Sequence, residues 1–81
     1  MIDPNPDAAS DVPLQKVVGQ RIRQLREQQG WSQDTLAHLT GMHRAYPHRI
    51  ETGQVDVRIS TLAKLAEVFG LSLPDLLTFN D

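Results

Sequence analysis

The sequence predicts an all-α domain of five short helices. Apolar residues recur at spacings of three and four rather than two. Serines stand just ahead of the apolar stripes, and glycines (Gly30, Gly41, Gly53, Gly70) stand where the stripes stop. No β-type alternation, internal repeat or low-complexity tract interrupts this pattern. With 81 residues and 40% hydrophobic content, the chain has material for one domain around one modest core.

The elements follow in chain order. Residues 1–12 mix Asp, Pro, Asn, Ala and Ser without periodicity and read as a flexible arm ahead of a domain over 13–81. Leu14, Val18, Ile22 and Leu25 share one helical face, and Gly30 supplies the stop of the first helix. Ser32 is placed to cap a second helix in which Leu36 and Ala37 face inward, ending at Gly41. Met42 to Thr52 is less regular: Met42, Tyr46 and Ile50 mark an inward face, but Pro47 interrupts it. Gln54 to Ile59 reads as a loop. Ser60 then caps a fourth helix carrying Leu62, Leu65, Ala66 and Phe69 on one stripe, closed by Gly70. Ser72 with Asp75 three residues on is a capping-box-like start for a last short helix bearing Leu73, Leu76, Leu77 and Phe79.

Composition excludes several classes. There is no cysteine, hence no disulfide or thiolate metal centre. No apolar run approaches the ~18 residues of a membrane span, and the acidic, proline-bearing start is unlike a secretory signal, so a cytoplasmic location is expected. No glycine-rich phosphate loop or His–carboxylate constellation suggests an enzyme, and no cofactor is expected. His38, His43 and His48 follow one another in steps of five, which turns successive side chains by about 140° on a helix and keeps them off a common face, so they do not read as a metal site. The net charge of −2 does not point to a polyanion partner. Its distribution does: between Leu14 and Gly53 stand Lys16, Arg21, Arg23, Arg26, Arg44 and Arg49 against only Glu27, Asp34 and Glu51.

The stretch Gln33 to Thr52 carries the most specific spacing. Ala37 is small where a second helix must cross closely, Gly41 permits a sharp turn four residues later, and Ile50 anchors the following helix nine residues beyond. That is the requirement of a helix-turn-helix. The segment GWSQDTLAHLTGMHRAYPHRIETG resembles the Cro and phage-repressor (XRE) family of DNA-binding domains, and the likeness extends over about Val17 to Leu77. The resemblance implies a lambda-repressor-like fold and a sequence-specific transcriptional regulator, repressor or activator, that binds double-stranded DNA as a homodimer. QVDVRISTLAKLAEVFGLSL is further similar to controller proteins of restriction-modification systems.

The resemblance also assigns residues. It implies base contacts from Arg44, Ala45, His48 and Arg49, and backbone contacts from Ser32, Gln33, His43, Tyr46 and Thr52. Arg26 and Glu51 match a pair that ties the first helix to the end of the recognition helix. Independently, an arginine fork suits guanine O6 and N7, and the start of the second helix beside Gln33 offers N–H groups to a phosphate. Trp31, a lone tryptophan at a helix start, reads as a lid on the core rather than a base-stacking platform. Leu73, Leu76, Leu77 and Phe79 exceed what so short a helix buries, and are expected to form a dimer interface on a roughly palindromic operator. A protein-interaction module or antitoxin-like adaptor on the same fold, with weak or no DNA binding, is the alternative.

Pro47 departs from the family, which has an Ile or Val there. If His43 caps the third helix, Pro47 removes its first backbone bond; if the proline excludes Tyr46 from the helix, regular structure starts at Pro47 and Arg44 lies on a loop. On this reading Pro47→Ile raises the melting temperature.

Overall fold

The computed structural model describes residues 11–79. Among them are five helices and no strand: α1 (Asp11–Gln28), α2 (Gln33–Thr40), α3 (Tyr46–Glu51), α4 (Ile59–Phe69) and α5 (Leu73–Leu76). The expected arm lies, up to residue 10, outside the described residues, and α1 is already helical at Asp11. No helix among the described residues is long and apolar enough to cross a membrane.

The predicted stripes meet in one core. Ile22, Leu25, Leu36, Ile50, Leu62, Leu65, Ala66, Phe69 and Leu76 form a continuous buried cluster, with Val18, Tyr46, Leu73 and Leu77 packed at its edge. Trp31 closes one side of it, its ring stacked on Phe69 at 5.7 Å between centroids and 18° between planes. Burying the apolar faces of all five elements at once supplies the main stabilisation, at roughly 25 cal/mol per Å² of apolar surface.

The serine caps of α2 and α5 are in place: Ser32 Oγ accepts from the Thr35 N–H at 3.0 Å, and Ser72 Oγ from the Asp75 N–H at 3.1 Å. The cap expected at Ser60 is not. The structure puts Arg58 at the N-cap of α4, in extended geometry and without a side-chain cap, so that Ser60 falls inside the first turn. Ile59 opens the helix there although it is largely exposed. It contributes nothing to the buried stripe, which begins only at Leu62, so no apolar periodicity marked this start.

Leu76 also corrects an expectation. It is fully buried in the protomer's own core, which removes it from any surface a partner touches. Leu73 and Leu77 are half-buried and Phe79 is exposed. Arg21 fixes this end of the chain to α1, donating from Nε to the Leu76 carbonyl and from Nη2 to the Asp75 carbonyl, both at 2.9 Å. A guanidinium on carbonyls at the end of α5 also meets the negative pole of that helix.

Candidate nucleic-acid interface

The α2–turn–α3 unit is built from local signals first. Gly41 ends α2 at φ 70°, a left-handed conformation that glycine adopts without a Cβ clash. The chain closes behind it as the Met42 N–H donates to the Ala37 carbonyl at 3.0 Å, the reverse bond of a Schellman-type ending. Thr40, though buried, is satisfied by its hydroxyl donating to the Leu36 carbonyl at 2.7 Å. In the turn, the Tyr46 N–H donates to the His43 carbonyl at 2.9 Å, and the Ala45 N–H to His43 Nδ1 at 3.2 Å.

These bonds settle where Pro47 sits. Ala45 is the N-cap of α3, Tyr46 is its first residue and Pro47 its second. A residue there has no intrahelical acceptor to lose, and the His43 carbonyl is already taken by Tyr46. The helix therefore starts one residue before the later of the two expected starts, with Tyr46 helical, and Arg44 lies on the turn. Pro47 is fully buried, so its ring occupies the apolar site that a branched aliphatic was expected to need.

Segment 43–52 then has two sides. Pro47, Ile50 and Glu51 point inward, with Tyr46 half-buried beside them, while His43, Arg44, Ala45, His48, Arg49 and Thr52 are exposed. Thr52 is not free, since its hydroxyl donates to the His48 carbonyl at 2.8 Å and accepts from Gln54 Nε2 at 2.7 Å. The base-contact candidates Arg44, Ala45, His48 and Arg49 are thus exposed, as is His43. Ser32 and Gln33 come to the same unit from the start of α2.

The inward side is locked electrostatically. Arg26 Nε donates to Glu51 Oε2 at 2.7 Å and Nη2 to Oε1 at 3.0 Å, while Nη1 donates to the Trp31 carbonyl at 2.7 Å. Gln33 Nε2 donates to Glu51 Oε1 at 3.1 Å, so α1, α2 and α3 converge on a single carboxylate. The two charged side chains are 11% and 3% exposed, and the bidentate geometry satisfies them. The Glu51 hydrogen bond and its charge, with a contribution from Glu27, raise the Arg26 pKa against the opposing effect of burial. Charge-assisted bonding thus outweighs desolvation, and the arginine stays protonated.

Two residues of this unit had no role in the sequence reading. Gly19, within α1, lies where a Cβ would fall on the Ile50 carbonyl oxygen and 2.9 Å from that of Glu51. The absence of a side chain lets α1 cross the end of α3 in backbone contact. The available signal was a glycine inside a helical stripe, which costs about 1 kcal/mol against alanine and asks for a packing reason. Asp34 is the other: its Oδ1 stands 3.5 Å from Arg44 Nε, with side chains 71% and 84% exposed.

Comparison with known proteins agrees with this geometry. A family profile described as "Helix-turn-helix domain" matches residues 17–79. The chain is 34% identical over 65 residues to the control protein C.SmaI of Serratia marcescens, covering 80% of this chain and 77% of that protein. It is 44% identical over 57 residues to the transcriptional regulator PuuR of Escherichia coli, but spans only 31% of that protein's length. Among solved structures, the restriction-modification controller C.AhdI of Aeromonas hydrophila superposes with a TM-score of 0.76 at 37% identity, over 80% of this chain and 98% of that one. The biofilm regulator SinR, solved in complex with DNA, superposes with a TM-score of 0.68 at 35% identity, over 75% and 98%. The profile match and the likeness to controller proteins over 80% of the chain show that it belongs to the helix-turn-helix family of XRE-type transcription regulators, non-enzymatic proteins of the lambda-repressor-like fold.

Proposed function

We propose that the chain is a homodimeric regulator that reads a specific duplex sequence through the open side of the α2–turn–α3 unit. The observation that carries this is the division of segment 43–49: Pro47 is buried in the core, while the side chains of Arg44, Ala45, His48 and Arg49 are exposed. An arginine fork presents two parallel donors to guanine O6 and N7, so Arg44 and Arg49 favour G-containing half-sites, with Ala45 and His48 between them on the groove floor. Ser32, Gln33, His43, Tyr46 and Thr52 border that surface and hold the sugar-phosphate backbone. Gln33 is tied to Glu51, so a phosphate it meets is registered against α3.

The dimer forms through the C-terminal end, by Leu73, Leu77 and Phe79 without Leu76. Beside them runs an apolar groove lined by Leu14, Val18, Val55, Leu62, Leu77 and Phe79. Two copies related by a two-fold axis then address half-sites about 34 Å apart on a roughly palindromic operator, and the position of that operator relative to a promoter sets repression or activation.

The test is selection from a pool of random-sequence duplexes, followed by gel shift of the selected duplex against a mixed-sequence one. Arg44→Ala is expected to weaken the selected site by about 1 to 3 kcal/mol and relax the preference at one position, whereas Gln33→Ala weakens all duplexes alike. Equal losses on both duplexes for Arg44→Ala refute its role as a base reader. Absence of salt-sensitive binding to any duplex at low salt favours the adaptor reading. Sedimentation showing only monomer, well above the concentrations needed for DNA binding, refutes the dimer.

A further inference from the structure

We propose that Asp34 is a specificity-determining residue, holding Arg44 so that its terminal amino groups face a base edge and opposing capture of that arginine by a phosphate. The proposal rests on the DNA-binding reading above and concerns a residue to which that reading gives no part. Between Gln33 and Thr52 the sequence has two carboxylates, Asp34 and Glu51. Glu51 is buried and engaged by Arg26 and Gln33. The carboxylate that this unit shows to solvent is therefore Asp34, placed against one of its two exposed arginines.

Two features of the pair point to function rather than folding. With both side chains more than two-thirds exposed, the pair contributes little to stability. What it alters is where the Arg44 charge is directed. The approach is through Nε, at 3.5 Å, which leaves Nη1 and Nη2, the groups that make a bidentate contact to guanine. Asp34 also stands in the first turn of α2 beside Gln33, where a phosphate is expected. A phosphate arriving at Arg44 meets this fixed negative charge at close range. A guanine edge is neutral and does not. The carboxylate thus penalises the unselective partner more than the selective one, and specificity is the difference between the two affinities.

The experiment compares the full chain with Asp34→Asn on two probes, the duplex that the parent selects from a random pool and a mixed-sequence duplex, across a salt series. Asp34→Asn is expected to tighten the mixed-sequence complex about 3- to 10-fold and steepen its salt dependence by up to about 0.9 in log–log slope, as one more cation becomes available to phosphate. Affinity for the selected duplex is expected to change less than about twofold, so the specificity ratio falls at least about threefold. In an Arg44→Ala background the same substitution is expected to leave the ratio unchanged. Asp34→Ser, a second neutral variant, reproduces the effect and guards against a folding defect specific to Asn; circular dichroism melts check both. An equal gain on both probes overturns the proposal, since it would reflect net charge alone, and so does a fall in ratio that persists without Arg44. A parent chain that binds neither probe overturns the DNA-binding reading and this inference with it, an outcome distinct from the other two.

Discussion

α2 and α3 are neighbours in one motif but acquire their structure in different ways. α2 has eight residues, a serine cap, a left-handed glycine at its end and Leu36 and Ala37 facing inward. Its limits follow from its own side chains, and a cap of this kind contributes about 1 kcal/mol. α3 has six residues, no side-chain cap and a proline in its first turn. So short a helix is unstable alone, because nucleation costs more than so few bonds return. It is held from outside, by Ile50 and Pro47 in the core, Glu51 in the ion pair and the close crossing of α1 at Gly19. The division leaves the side chains of His48 and Arg49, on the outward side of α3, exposed.

Glu51→Ala is expected to release α3 more than any other single change. It strands the Arg26 guanidinium, 11% exposed, with only the Trp31 carbonyl of its former partners, and is expected to cost about 3–5 kcal/mol. That is a large part of the stability of a domain this size, roughly 0.05–0.15 kcal/mol per residue. Urea denaturation measures it, and replacing the pair as Arg26→Met with Glu51→Leu is expected to recover most of the loss. A loss under about 1 kcal/mol in the single variant, the range of an exposed pair, contradicts the view that the carboxylate holds α3. The folded-state pKa of Arg26 is raised, so this contribution is complete at every pH below the unfolded-state value and is lost progressively as pH rises from that value through the higher folded-state one.

Gly19→Ala comes next. The added methyl would fall on the Ile50 carbonyl oxygen, so α1 and α3 must separate, at an expected cost of about 1–3 kcal/mol despite the better helix propensity of alanine. The damage should concentrate on α3. Hydrogen exchange is expected to show faster opening of the amides of 49–52, with those of α2 little changed. Stabilisation by Gly19→Ala, the ordinary result at an exposed helix position, contradicts the close crossing.

The same division explains what could be read from the sequence. Ser32, Gly41 and Ser72 act through bonds to residues three or four away, so their roles were visible in the chain itself. Arg26 and Glu51, 25 residues apart, were placed together by family likeness, not by local chemistry. The N-cap of α4 at Arg58 and the burial of Leu76 were not legible, because both depend on where the packed elements leave room. Asp34 and Arg44 stand ten positions apart, and nothing in their spacing brings them together without the turn at Gly41. The candidates Arg44, Ala45, His48 and Arg49 were named through the family likeness, and their place on the turn and on α3 follows only once α3 is known to begin at Tyr46.

Pro47→Ile is the smallest effect and the sharpest test of how α3 is held. The sequence alone suggested a gain, on the premise that proline removes a helical bond. In the structure that premise fails: the second position of α3 has no acceptor to offer, and the His43 carbonyl is occupied by the Tyr46 N–H. The substitution therefore restores no hydrogen bond. It also frees the unfolded chain at this residue, which costs about 0.4–1 kcal/mol where the native backbone already suits proline. Isoleucine is bulkier than proline, and the site is fully buried, so the added carbons have to displace neighbouring side chains. The variant is expected to be less stable than the parent by about 1 kcal/mol, a drop of roughly 4–8 °C in melting temperature for a domain this small. A calorimetric scan distinguishes the two accounts by sign. A higher melting temperature for Pro47→Ile would mean that local helix chemistry limits α3 after all, and that its six residues are short because of the proline rather than because the core needs no more.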